Sequence, residues 1–286
     1  MNIGYVGLGL MGRPCVLNLM KAGHTVFVWA RRKESAQQVV VEGAVFCDSI
    51  AEAASRCELL FLNVTNTEDV ESVIFGPEGA AASGNKGLII VDMSTISATA
   101  TRTMAKRLAP LGMELVDAPV SGGTAGAQNG TLTIMVGASE KTFEKITPVL
   151  RAMGSTITRI GDCGAGQVAK SCNQIIITGA IAAVAEAFRF AEAAGVDPKP
   201  VREALLGGFA GSKVLEMHGM RMIEDNYAPG FKTVLHRKDM GIVKGIAEEL
   251  HLKLPVSEVG IGLLERTIEA GHGEEDSSAI FTITGK

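Results

Sequence analysis

The chain opens on Asn2-Ile3-Gly4-Tyr5-Val6-Gly7-Leu8-Gly9-Leu10-Met11-Gly12, and this stretch decides the fold. Residues 2–6 read as a short apolar strand, and an amphipathic helical pattern over 10–22 follows. The three spaced glycines differ in what they allow. Gly7 permits a tight turn, Gly9 lets a pyrophosphate approach the backbone, and Gly12 lets helix and strand pack closely. The phosphates of a dinucleotide would then meet the free N–H groups at the positive end of the helix. The spacing alone is a weak signal, and its strand–turn–helix setting strengthens it. An ordinary tight βα turn is the competing reading.

Outward from this motif, short apolar runs at 25–30, 58–64, 88–92, 114–117, 132–137 and 156–160 read as strands. Amphipathic stretches at 67–74, 97–109 and 140–152 lie between several of them. Such alternation predicts parallel βαβ units with helices on both faces of the sheet. The stretch 118–139 carries the last of these strands but one within a glycine-broken loop. Beyond Gly161-Asp162-Cys163-Gly164-Ala165-Gly166 the pattern changes to helices near 167–194, 198–207, 213–225, 235–250 and 256–270. The first of these is apolar nearly all round, which predicts a helix buried on most sides. The sequence therefore implies an α/β chain: a parallel-sheet dinucleotide domain over 1–162, and an all-helical domain over 163–286 joined to it by a long helix.

Composition narrows the function classes. Of 286 residues, 47% are hydrophobic and 20% charged, which excludes disorder. The 34 glycines, without a collagen period, point to tight turns and close backbone approaches. Lys+Arg 27 against Asp+Glu 31 gives a net charge of -4, with no basic block, so neither nucleic acid nor an anionic membrane is the expected partner. Mean hydropathy is +0.24. The longest apolar uncharged run, Ser171 to Ala185, falls short of the roughly 20 residues a span needs. With no basic leader before residue 2, and five cysteines that form no CxxC pair, the expected compartment is the cytoplasm. His24, His218, His236, His251 and His272 show no metal-ligand spacing, so no metal is expected.

The second strand ends at Ala30-Arg31-Arg32, where an NAD-binding chain usually carries an acid for the ribose diol. With no carboxylate to repel it, a 2′-phosphate could pair with the guanidinium groups, favouring NADP(H) over NAD(H). The alternative is a solvated arginine pair. Asp117-Ala118-Pro119-Val120-Ser121-Gly122-Gly123 ends a later strand in a glycine-rich turn, whose consecutive N–H groups suit a carboxylate. A purely structural turn accounts for it equally. Lys170 leads the long apolar helix, with Asn173 and Gln174 on its face. Such a lysine commonly snorkels to the surface. At the domain junction it could instead polarise a carbonyl and donate a proton to it.

Together with Gly130-Thr131-Leu132-Thr133 and Lys238-Asp239, these motifs resemble the β-hydroxyacid dehydrogenase family, the 3-hydroxyisobutyrate dehydrogenase-like proteins, over essentially the whole chain. The resemblance implies a Rossmann-type domain, a helical domain supporting a homodimer or homotetramer, and an active site in the cleft between them. It implies that Ser121, Gly122 and Gly123 hold a substrate carboxylate, that Lys170 is the general acid/base, and that Asn173 orients substrate and lysine. Thr95 matches the family threonine near nicotinamide ribose and substrate. Val64-Thr65 stands where the family usually has Leu-Pro lining the cofactor cleft, and Cys15 where it more often has Met or Ala. Phe231, Lys238 and Asp239 match the region that closes the pocket over substrate and nicotinamide, which places Lys238 at the cofactor as well, although Lys238-Asp239 alone reads as an exposed charge pair. Asn173-Gln174, the Gly207 to Ser212 turn and Gly271-His272-Gly273 resemble the tartronate semialdehyde reductase branch, ahead of the glyoxylate/succinic semialdehyde reductases.

The implied activity is reduction of a small carboxylate-bearing aldehyde to the hydroxy acid with NADPH. Oxidation of the 3-hydroxyisobutyrate type and a non-catalytic NADP-binding module are the alternatives. Imine reduction on the same scaffold is disfavoured by the lysine.

Overall fold

The computed structural model describes residues 1–285. The chain forms two compact units, Met1–Lys170 and Ser171–Lys286. In the first, one sheet contains β1 (Asn2–Val6), β2 (Thr25–Trp29), β3 (Val45–Phe46), β4 (Leu59–Leu62), β5 (Ile89–Asp92), β6 (Glu114–Asp117), β7 (Val120–Ser121), β8 (Leu132–Gly137) and β9 (Gly154–Gly161). Their order is β3-β2-β1-β4-β5-β6-β8-β7, with β9 beside β8. From β3 to β6 every pairing is parallel. This is the doubly wound order, whose reversal between β1 and β4 opens a crevice at the carboxyl ends of those strands.

The strand sequences explain the layering. Leu59 and Phe61 join Ile3, Tyr5, Val26 and Val28 in one buried layer, while Leu60 and Leu62 join Val6, Ile90 and Ile74 in the other. Continuous apolar runs of this kind belong to parallel strands covered on both faces. Each fully buried side chain of this size contributes about 1.5–3 kcal/mol. Helices are started by local caps: Ser97 Oγ accepts from Ala100 N, Ser139 Oγ from Thr142 N, and Ser212 Oγ from Leu215 N. Each such cap stabilises its helix by about 1 kcal/mol.

Several elements depart from the sequence expectation. The two-residue strands β3 and β7 are too short to show a period. The stretch expected to be loop and strand contains a helix, Gly123–Asn129. Its Gly-Thr-Ala-Gly-Ala composition carries no apolar stripe, and its ends are set by glycines at positive φ, Gly122 at 125° and Gly130 at 65°. The sheet is also not wholly parallel, because β8 runs antiparallel to β6 and β7.

After Gly161 no further strand occurs among the described residues, apart from the bridge Lys232↔Asp276. The helices are Ala165–Ala193, Pro198–Leu206, Lys213–Ile223, Thr233–Glu249, Pro255–Thr267 and the short Ile280–Ile283. In the second unit Ile181, Ala185 and Phe188 pack with Leu215, Met222, Met240, Val243, Leu264 and Ile280 in one core. The long helix, Ala165–Ala193, is not buried on most sides as its composition suggested. By length and composition it could cross a membrane, and only 39% of its most apolar window is buried. Cys172, Ile176, Ala183 and Phe190 are exposed along one stripe. Its neighbours cover one face only, so the same apolar composition serves both a core and an open surface. All five cysteines are free thiols.

Candidate active site

The crevice at the carboxyl ends of β1 and β4 is built by backbone contact. Gly7 sits at φ 101°, and a side chain there would collide with the Asn63 carbonyl after β4. Gly12 is pressed against the Gly7 carbonyl and the Tyr5 ring, which leaves no room for a Cβ. Gly9 faces open space instead. The helix Gly12–Lys21 that follows has no side-chain cap on its first turn and no acidic residue there. Its leading N–H groups are thus offered to an anion. A pyrophosphate fits such a turn. Around it, Leu8 is buried, Met11 half-buried and Leu10 exposed. At the end of β2, Ala30 is buried while Arg31 and Arg32 are exposed. Neither arginine takes an ion-pair partner among the described residues.

The neighbouring segments are tied together by buried hydrogen bonds. Val64 N donates to Ser94 Oγ at 2.9 Å, and Ser94 N donates to Asp92 Oδ1 at 2.9 Å. The turn carrying Val64 and Thr65 is thereby fixed to the one carrying Thr95, which is half-buried. Gln167, in the first turn of the long helix, bonds on both sides of Thr95: its Nε2 donates to Ser94 O at 2.8 Å, and its Oε1 accepts from Ile96 N at 3.1 Å. Asp117, fully buried at the end of β6, accepts from Gly164 N at 2.6 Å and Gln167 N at 2.8 Å. Burial pushes the Asp117 carboxyl above its usual value, against the lowering effect of those two N–H groups. Beside it, burial and the Asp117 charge push the Cys163 thiol up to about 12.

Lys170 lies one turn beyond Gln167 and is 8% exposed. Its Nζ donates to Val120 O at 2.9 Å. Val120 directly precedes Ser121, which is half-buried, while Gly122 and Gly123 are exposed at φ 125° and 61°. The ammonium does not snorkel to the surface; it is held at the base of the glycine-rich turn.

In the second unit, a chain of polar contacts joins the remaining predicted residues. Asn173 Nδ2 donates to Gln174 Oε1 at 2.8 Å, and Gln174 Nε2 donates to Asp239 Oδ2 at 2.8 Å. Asp239 Oδ1 pairs with Lys238 Nζ at 2.8 Å. Asp239 is only 3% exposed, so Lys238-Asp239 is not the surface charge pair that its sequence alone suggests. His236 Nε2 meets Thr178 Oγ1 at 2.7 Å, and the Phe231 ring lies 5.3 Å from the His236 ring. Phe231 N and Gly230 N donate to Asp276 Oδ2.

In the first unit these bonds tie the turns at Val64 and Thr95 to the start of the lysine-bearing helix, and in the second they join Asn173, Asp239 and Lys238 through Gln174, while Arg31 and Arg32 stand exposed. The sequence reading missed Gln167, Asp117 and Asp276 as site-building residues, and gave Gln174 no role. One signal was present: Gln167, Lys170 and Gln174 fall at i, i+3 and i+7 on a helix rich in apolar residues, and polar groups on a buried face need partners.

Two family descriptions match the chain. The NAD binding domain of 6-phosphogluconate dehydrogenase matches residues 2–161, and the NAD-binding region of NADP-dependent 3-hydroxyisobutyrate dehydrogenase matches residues 164–284. The chain is 42% identical to 2-hydroxy-3-oxopropionate reductase of Escherichia coli K12, covering 98% of this chain and 96% of that protein. It is 38% identical to 2-(hydroxymethyl)glutarate dehydrogenase of Eubacterium barkeri, covering 99% and 94%. The crystal structure of 3-hydroxyisobutyrate dehydrogenase from Salmonella typhimurium superposes with a TM-score of 0.88 at 30% identity, covering 99% of each chain.

Proposed function

The chain belongs to the family of NAD(P)-dependent 3-hydroxyacid dehydrogenases, and from that premise we propose that it reduces a small aldehyde acid to the corresponding hydroxy acid with NADPH. Tartronate semialdehyde (2-hydroxy-3-oxopropionate) is the favoured substrate, and glyoxylate and succinic semialdehyde share its chemistry. The 42% identity to the Escherichia coli reductase supports that order. The observation that carries the reading is the Lys170 ammonium, bonded to the Val120 carbonyl immediately before Ser121-Gly122-Gly123.

Bound NADPH supplies the hydride. Ser121, Gly122 and Gly123 hold the substrate carboxylate through the serine hydroxyl and the backbone N–H groups. Fixing that carboxylate restricts the aldehyde to orientations within reach of Lys170, which contributes by proximity. Lys170 donates its proton to the oxygen as negative charge develops there, and in the reverse direction takes it back. Asn173 orients substrate and lysine, and Thr95 lies against the nicotinamide ribose and substrate. Phe231, Lys238 and Asp239 enclose the substrate. Gly7, Leu8, Gly9, Leu10, Met11 and Gly12 hold the pyrophosphate, with Val64 and Thr65 beside the cofactor. Arg31 and Arg32, which form no ion pair among the described residues, receive the 2′-phosphate. The active form is a homo-oligomer whose interface covers the open apolar stripe of the long helix.

The test is NADPH consumption with a panel of the three aldehyde acids, for the wild-type protein and Lys170→Ala. Lys170→Ala is expected to lower kcat by about 10²–10⁴-fold, the usual contribution of a general acid, with NADPH binding by fluorescence unchanged. Near-wild-type turnover in that variant would remove Lys170 from the role. Inertness of the wild-type protein toward the whole panel would overturn the substrate class.

A further inference from the structure

The proposed chemistry assigns Gln167 no step, yet its side chain is committed to one place. It is 1% exposed. Its amide pairs with the peptide groups on both sides of Thr95, donating to Ser94 O and accepting from Ile96 N. A primary amide carries a donor and an acceptor in one plane, so it can hold a backbone segment as a neighbouring strand would. The two bonds leave little freedom in the peptide planes that aim the Thr95 side chain. The backbone of the same residue is anchored to Asp117, as is Gly164 N, so the start of the helix cannot slide relative to β6. Lys170 follows three residues later on that helix and bonds to Val120, three residues after Asp117.

We propose that Gln167 is a positioning residue that sets Thr95 relative to Lys170 by clamping the 94–96 turn to the first turn of the lysine-bearing helix. This rests on the reading above, in which Thr95 faces nicotinamide ribose and substrate and Lys170 is the general acid. Leucine at this position would fill the volume but would leave Ser94 O and Ile96 N without this partner. The consequence is a turn free to move by fractions of an ångström, and misplacement near 1 Å can cost about 100-fold in rate.

The sharpest variant is Gln167→Glu. An ionised carboxylate can still accept from Ile96 N but confronts Ser94 O with a second acceptor. Once protonated, it regains the donor and restores both bonds. Gln167→Glu is therefore expected to lower kcat about 10- to 100-fold at neutral pH, and its kcat relative to wild type is expected to recover on acidification. Gln167→Leu is expected to show a comparable loss with no such recovery. Circular dichroism and NADPH binding are measured on both variants, so that loss of fold is seen separately.

A double-mutant cycle completes the test. In a Thr95→Ala background, Gln167→Leu is expected to cost less than about threefold, because the clamped side chain is already gone. Full multiplication of the two losses would overturn the inference, and so would a Gln167→Glu variant that loses kcat at neutral pH yet keeps a pH profile parallel to wild type. Either result leaves the functional reading intact if the wild-type protein consumes NADPH with an aldehyde acid. Inertness toward the whole panel would instead remove that reading and this inference with it.

Discussion

Ala30, Arg31 and Arg32 occupy the three positions after β2, and their charge balance sets the cofactor expectation. A guanidinium–phosphate bond is charge-assisted and planar, and a bond to a charged group contributes about 1.5–3 kcal/mol. Arg31→Ala with Arg32→Ala is therefore expected to lower kcat/KM for NADPH by about 10- to 100-fold, while kcat/KM for NADH changes by less than about threefold. A wild-type protein that uses NADH as well as NADPH would discard the assignment. The glycines beside them act through geometry alone. Gly12 must be bare because the Gly7 carbonyl lies against it, whereas Gly9 is bare over open space, which is what close approach of a phosphate needs. These residue identities were legible because each answers a local demand.

At the scale of elements, the turn carrying Phe231 shows how a distant segment sets local structure. Asp276 accepts from Gly230 N, Phe231 N, Ser278 N and Ser278 Oγ. Burial pushes its carboxyl up, but the bonds from Ser278 and Phe231, with His218 nearby, outweigh that and hold it below its usual value. His218 Nε2 lies 3.8 Å from Asp276 Oδ1. Burial lowers the imidazole from 6.5, Asp276 opposes this, and Arg221 adds to the lowering.

A histidine with a depressed value binds its proton less tightly in the folded state. Its contribution to stability is full above 6.5 and is lost as pH falls through the folded value. The Asp276 contribution follows the same direction lower down, being full above 3.8 and lost below it. Thermal melts of the wild-type protein are therefore expected to fall more steeply below pH 6.5 than those of His218→Gln. Equal slopes for the two would show that His218 does not titrate with unfolding.

None of this was visible in the sequence, because Asp276 is 45 residues from Phe231 and nothing between them marks the pair. The elements themselves were readable where a period had room to develop. β1, β6 and β8 fall on their expected residues, while β3, β7 and the helix Gly123–Asn129 were too short or too small-residued to show one.

For the whole molecule, the open matter in the sequence was what the apolar long helix faces. Its inner residues Ile181, Ala185 and Phe188 are fully covered, but Ile176 and Phe190 are 70% and 78% exposed. Gly179 lies against Val256 of the helix Pro255–Thr267, where Val256 and Val259 are also exposed. Exposed apolar surface of this kind marks an interaction face. A homo-oligomer is therefore expected at micromolar concentration, and the pair Ile176→Glu with Phe190→Glu is expected to shift it to monomer in sedimentation velocity. A monomeric wild-type protein would refute the interface.

The sequence by itself determined the local decisions: the glycine turn, the parallel strands, the switch to helices after Gly161, and the residue types fit for anion binding and proton transfer. Those follow from short-range sterics and periodicity, which a linear string records. Only the tertiary structure decided which polar groups meet. It set Lys170 at the Val120 carbonyl, Gln167 across Thr95, Asp117 under the helix start and Asp276 under Phe231. Each of these is a buried donor or acceptor satisfied by a partner 45 to 73 residues away. Pairings of that kind are fixed by the packing of whole elements, and no local pattern encodes them.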